Sequence, residues 1–162
     1  MKHEIYDNFL SKEDYKIIYD MFVDWNFSWH LKLITNECQP DDDKSVYFTH
    51  SFYYEGQGAS ENFEKMKPLL SRIKHNYLYR MVGNLYTHTK DIVKHANHVD
   101  FKEPHTTCLY YINTNNGKTI LNDDIEVDSV ANRLLVFDGL TPHCSTTCSD
   151  EKVRMNVNVN VR

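Results

Sequence analysis

The chain has 162 residues, a formal net charge of −5, 41% hydrophobic and 13% aromatic residues. That length predicts one domain with a buried core, and five Gly with four Pro exclude a fibrous or disordered chain. The negative charge argues against a general nucleic-acid binder, and no apolar run is long enough for a membrane span.

In chain order, the opening "MKHEIYDNFL" lacks the apolar stretch of a secretory signal. "FLSKEDYKIIYDMFV" predicts a helix, with Ser11 as N-cap and Tyr15, Ile18 and Phe22 as its apolar stripe. "WNFSWHLKLIT" and "SVYFTHSFYYE" are strand-like, rich in aromatic and β-branched residues, with a polar loop "NECQPDDDK" between them. "SENFEKMKPLLSRIKHN" predicts a second helix, which Pro68 should kink or start late. From residue 77 the pattern changes to short strands: "YLYRMVGNLYTH", "KHANHVDF", "TTCLYYINT", "KTILN", "DIEVDS", "NRLLVFDG", "HCSTTC" and "RMNVNVNV". Turns are expected around Gly117, at 122–124 and around Gly139. Such spacing predicts an antiparallel sandwich or small barrel with flanking helices. The four cysteines, Cys38, Cys108, Cys144 and Cys148, include no CxxC and read as reduced thiols of a cytoplasmic protein.

Three residues carry metal chemistry. His98 and Asp100 of "HVD" share a face if that stretch is a strand, and "NRLLVFDGLTPH" delivers His143 from a distant one. Two imidazoles and a carboxylate with open positions form the ligand set of non-haem Fe(II) oxygenases. An HxD triplet alone is weak, since roughly one arises by chance in such a composition. Eleven residues after His143 stands Arg154, suited to grip a carboxylate with two donors.

Taken together, "HVD", "TCLYYIN", "NRLLVFDGLTPH" and Arg154 resemble the Fe(II)/2-oxoglutarate-dependent dioxygenases, within them the prolyl-hydroxylase-like group. The resemblance covers about residues 80–160, with an echo in "IYDNFLSKEDYKIIYDMF". It implies a mainly β chain with flanking helices around a double-stranded β-helix, the cupin-like jelly roll. It also implies one dioxygenase domain over 1–162, with N-terminal helices and flanking strands over 1–78 and the metal-binding core over 79–162. By position, His98, Asp100 and His143 would bind Fe(II), Arg154 and Tyr111 would hold the distal carboxylate of 2-oxoglutarate, and Tyr86 would face the cosubstrate. The implied reaction uses O₂, with ascorbate as a candidate reductant, and oxidises a C–H bond of a peptide, protein or small molecule while 2-oxoglutarate becomes succinate. Peptidyl proline leads among substrates. The Gly-rich "GGxT" of many members is thinned here to "NGKT", and relatives carry a mobile loop over the substrate near residues 36–46.

The alternation of "RMNVNVNVR" then has a direction. If Arg154 points inward, Asn156 and Asn158 follow it into the pocket, and Val157, Val159 and Val161 face the helices. Two rival readings are a non-catalytic jelly-roll binding module and a nucleic-acid demethylase on the same fold. The second needs RxNxxxR, where position 160 is Asn.

Overall fold

The computed structural model describes residues 3–33, 46–55 and 58–162. The expected loop at 36–44 lies outside them. Eleven strands and two helices are present among these residues: β1 His3–Tyr6, α1 Lys12–Val23, β2 His30–Lys32, β3 Tyr47–Tyr54, β4 Gly58–Ala59, α2 Phe63–Arg72, β5 Leu78–Thr87, β6 Thr106–Tyr111, β7 Asn115–Leu121, β8 Ile125–Ser129, β9 Arg133–Asp138, β10 His143–Ser145 and β11 Val153–Val161. They form a large sheet in the order β1-β9-β6-β11-β5-β3-β2, with β4 paired to β3, and a small sheet in the order β10-β7-β8. All named pairings are antiparallel. The two sheets and two helices make the expected mainly β jelly roll.

Helix α1 starts where Ser11 accepts the Asp14 amide proton, which satisfies one of the free N–H groups of the first turn. Ile18, Met21 and Phe22 of α1 pack with Met66 and Leu69 of α2 in one core. That core includes Met155, Val157, Val159 and Val161 of β11, and Cys108 and Tyr110 of β6. A second core lies on the other face, from Leu109 and Tyr111 of β6, Leu135 and Phe137 of β9, Leu121 of β7 and Val127 of β8. Period-two alternation therefore divides β6 and β11 between two environments. Helices cover one face, and the other faces the small sheet.

Several local expectations needed correction. Residues 3–6 form a strand, unforeseen because a four-residue edge carries little pattern; it pairs with β9 from His3–Phe137 to Tyr6–Leu134. The stretch 25–35 yields only His30–Lys32 as strand among its described residues, and all three are exposed. Helix α2 begins at Phe63 and runs through Pro68, so Pro68 does not mark a late start. Gly117 is not in a turn but inside β7. The 122–124 turn is present, with Asn122 and Asp123 both at positive φ (50° and 65°), the geometry of a tight hairpin of the primed type.

β11 is central in the large sheet, and Val157 is fully buried against the helices. An Asp there would be an unpaired charge in an apolar layer, costing upward of about 4 kcal/mol. Since a domain's whole stability is about 5–15 kcal/mol, Val157→Asp is expected to lose most of its cooperative unfolding transition in urea, while Val157→Ile retains it.

His50 provides a pH-dependent term in this core. Its ring sits against Phe27 at 4.3 Å and Phe52 at 4.7 Å, with Nδ1 donating to the Ser28 carbonyl and Nε2 beside the Ser60 hydroxyl. Burial lowers its pKa, only partly offset by the Ser28 carbonyl. The unfolded chain therefore binds the proton more readily, and stability is lost as pH falls below about 6.5. Urea midpoints at pH 7.5 and 5.5 should differ less in His50→Phe than in the wild type. His98 contributes in the same direction, so part of the difference remains.

Candidate metal centre and cosubstrate pocket

The His-x-Asp pair does not lie on a strand. Residues 95–101 form a loop held to β10 by an isolated antiparallel bridge: His98 N–H donates to the His143 carbonyl at 3.0 Å, and His143 N–H to the His98 carbonyl at 2.9 Å. Two backbone bonds thus bring the histidines side by side, with ring centroids 4.6 Å apart. Asp100 completes the group, with His98 Nε2 at 3.9 Å from Oδ1 and His143 Nε2 at 3.8 Å from Oδ2. One ligand atom from each of the three lies within 4.8 Å of the others, an arrangement that can hold a metal ion.

The surrounding bonds aim these groups. His143 Nδ1 is 2.9 Å from the Thr141 carbonyl. A carbonyl only accepts, so Nδ1 carries a proton, and Nε2 is the ring nitrogen turned toward Asp100. Burial, then the neighbouring His143, lowers the pKa of His98, which keeps it in the neutral, metal-binding form. Burial alone would raise the Asp100 carboxyl. The Arg80 guanidinium, His143 and the amides of Asn158 and Asn160 outweigh it and hold the group well below its ordinary range.

β11 carries the second half of the site. Arg154 is fully buried, with Nε donating to the Ser129 hydroxyl at 2.8 Å and Nη2 to the Thr119 hydroxyl at 3.0 Å. Its guanidinium lies over the rings of Tyr86 at 5.4 Å and Tyr111 at 5.9 Å. Nη1 is buried with no hydrogen-bond partner among the described residues. A charged donor left unpaired in an interior is costly, and a carboxylate is its natural complement. The chain's residues therefore fit both a metal ion and an acidic cosubstrate.

No register shift interrupts β11 between Arg154 and Asn160, so Asn156, Asn158 and Asn160 share the Arg154 face. A cavity beside the histidines is lined by Tyr86, Thr119, Asn156 and Asn158 among others. Asn156 accepts from Asn84 Nδ2 at 3.0 Å, while Asn158 donates to Asp100 Oδ2 at 2.9 Å. The Tyr111 hydroxyl donates to Thr119 at 2.8 Å, so Thr119 gathers both Tyr111 and Arg154. Tyr86 stacks between Tyr47 and His95, each at 5.3 Å. His95 lies outside the triad, with Nδ1 2.8 Å from the Ser145 hydroxyl. His105 is buried under the turn that leads to His143.

Sequence reasoning missed Arg80, Thr119 and Ser129, and named Asn160 as a further inward residue without the contact it makes with Asp100. A signal for the first was present: Arg80, Asn84 and Tyr86 stand at even spacing on one strand, opposite Asn160, Asn156 and Arg154.

Gly117 has a steric reason. A Cβ there would lie 2.6 Å from Arg154 Cδ and 2.7 Å from the Thr147 carbonyl oxygen. The backbone oxygen cannot yield, so the arginine must. Gly117→Ala is expected to destabilise the fold by about 1–3 kcal/mol and to weaken 2-oxoglutarate binding measured by calorimetry. Unchanged binding would show that Arg154 is not the group held in place.

No protein-family model and no curated protein matches the chain. Solved structures do match in fold, which is that of the prolyl hydroxylases and the 2OG-Fe(II) oxygenases. A prolyl hydroxylase from Trichoplax adhaerens, in complex with a hypoxia inducible factor oxygen degradation domain peptide fragment, superposes with a TM-score of 0.62 at 16% identity, covering 98% of this chain and 82% of that one. A Pseudomonas putida prolyl-4-hydroxylase gives 0.63 at 13% identity, covering 99% and 92%. A 2OG-Fe(II) oxygenase family oxidoreductase from Burkholderia pseudomallei gives 0.67 at 6% identity, covering 98% and 84%.

Proposed function

We propose that the chain is a single-domain Fe(II)- and 2-oxoglutarate-dependent hydroxylase, prolyl-hydroxylase-like in its chemistry. One observation carries the reading. A buried arginine with an unpaired donor shares the face of β11 with two asparagines that line the cavity, one of which reaches the His/Asp/His cluster. A merely structural jelly roll has no use for either feature.

His98, Asp100 and His143 hold Fe(II) in this reading, and Arg154 holds the distal carboxylate of 2-oxoglutarate. Fe(II), 2-oxoglutarate and O₂, when bound, supply the oxidation of a C–H bond with loss of CO₂ and formation of succinate, and ascorbate serves as reductant. The protein supplies position and dryness. Thr119 spreads the hold on the distal carboxylate, because it already accepts from Arg154 and Tyr111 and has its own hydroxyl proton left to donate. Tyr86, stacked between two rings, sets the width of the pocket. Burial raises the Tyr86 and Tyr111 hydroxyl pKa values, against the partial opposition of Arg154, so both stay protonated donors. Asn156 and Asn158 form the polar floor that the substrate meets.

The substrate is a peptide, protein or small molecule. A peptide is favoured by the fold shared with a prolyl hydroxylase solved with its peptide. No helix among the described residues is long and apolar enough to cross a membrane. The buried thiols Cys108, Cys144 and Cys148 favour a reducing, cytoplasmic setting. The test is succinate release from 2-oxoglutarate with Fe(II) and ascorbate, with and without proline-containing peptides, read together with a 16-Da gain on the peptide. No 2-oxoglutarate binding and no succinate under any condition would refute the reading. Turnover without peptide modification would refute only the peptide.

A further inference from the structure

The Asp100 carboxylate is engaged by the protein on both oxygens. Oδ1 accepts from Arg80 Nη2 at 2.7 Å, and Oδ2 accepts from Asn158 and Asn160, each at 2.9 Å. A carboxylate has about four lone-pair positions, so three are committed and one is left. Arg80 is itself fixed. Its Nε donates to Asn160 Oδ1 at 3.0 Å, the two residues face each other across β5 and β11, and its guanidinium lies over the Phe101 ring at 5.1 Å. The Asp100 side chain is 4% exposed and that of Arg80 is 23% exposed, so this pair is screened far less than a surface one.

We propose that Arg80 is a positioning residue that sets the metal affinity of the site: it holds Asp100 as a one-oxygen ligand and its charge weakens the hold on a divalent cation. The inference rests on the proposed role of Asp100 as a metal ligand. Its physical basis is a competition. Without metal, Arg80 neutralises a buried carboxylate that would otherwise stand uncompensated, and so it stabilises the metal-free fold. With metal, the same guanidinium is a like charge beside a dication, held there by Asn160 and Phe101 and unable to withdraw. Arg80 therefore lowers metal affinity while raising metal-free stability. A purely structural residue would do the opposite to the metal, because disturbing its neighbourhood would scatter the ligands and weaken binding.

The test uses Mn(II) as the probe, titrated by calorimetry into the metal-free full chain, beside thermal unfolding without metal. Arg80→Gln should bind Mn(II) about tenfold more tightly or better than the wild type. Its metal-free unfolding temperature should fall, and the fall should be much smaller in the Asp100→Asn background, because the neutral amide no longer needs the cation. Arg80→Lys keeps the charge but loses the donor to Asn160, and its affinity should lie between the two. If Arg80→Gln does not fold, Arg80→Met, which also removes the charge, decides: tighter Mn(II) binding than wild type supports the proposal, and equal or weaker binding overturns it. Equal or weaker binding by a folded Arg80→Gln also overturns it. A wild-type chain that takes up no Mn(II) overturns the metal reading of His98, Asp100 and His143 together with this one.

Discussion

Replacing His98 and His143 together by alanine is expected to abolish 2-oxoglutarate turnover, a loss beyond about a hundredfold, while leaving the fold in place. The fold should survive because the loop is held by backbone. The two bonds that join residues 98 and 143 are N–H to carbonyl bonds, which alanine retains. His143 also keeps its pairing with Leu121. What is lost is imidazole, and with it two of the three ligand atoms gathered within 4.8 Å. The Phe137 ring loses its edge contact with His143 at 5.0 Å, a modest penalty. The measurement is succinate formation together with Mn(II) binding, with circular dichroism as the folding control. A folded double variant that still converts 2-oxoglutarate would place the metal elsewhere or remove it from the chemistry. A non-catalytic module would show no turnover in either protein.

The second large effect falls on Arg154. Arg154→Met fills most of the same space without charge, and 2-oxoglutarate binding should weaken by about 2–5 kcal/mol, roughly thirty- to several-thousand-fold. Stability should behave differently. Arg154 is fully buried and leaves Nη1 without a partner among the described residues, so in the ligand-free protein it is a strained choice. Removing an incompletely compensated buried charge is often neutral or stabilising. The unfolding temperature of ligand-free Arg154→Met is therefore expected to equal or exceed that of the wild type, even though Ser129 and Thr119 each lose a donor. Calorimetric titration with 2-oxoglutarate, in the presence of Mn(II), measures the first effect and thermal melting the second. A variant that binds 2-oxoglutarate normally would move the cosubstrate pocket away from β11.

The two outcomes separate the parts of the proposed site. Loss at the histidines with cosubstrate binding retained would assign the metal alone, and the reverse would assign the carboxylate pocket alone.

How far the sequence reached depended on the range of the interaction. The alternation of "RMNVNVNVR" is local, and a strand converts period two into two faces without help from the rest of the chain. Once Arg154 was assigned inward, the asparagines and valines were sorted, and the valines do lie in the helix-covered core. The first helix was legible for the same reason, through Ser11 and an apolar stripe within one element. The order of His98, Asp100, His143 and Arg154 was legible as a spacing. The sequence could not show that the first two sit on a loop, since a loop bridged to a strand and a true strand read alike over eight residues.

By itself, then, the sequence determined the mainly β character, the two helices, the division of β11 into two faces and the candidate ligands, because each depends on residues close together in the chain or on a repeated order. Only the tertiary structure decided what surrounds them. Arg80 reaches Asp100 from 20 residues away, Asn160 from 60, and Thr119 reaches Arg154 from 35. Gly117, which reads as a turn residue, is small because Arg154 passes over it. These contacts depend on which strands become neighbours across the sheets, and no local pattern encodes that. Strand pairing is chosen by the burial of two whole cores at once, and it placed an arginine against the carboxylate of the proposed metal site.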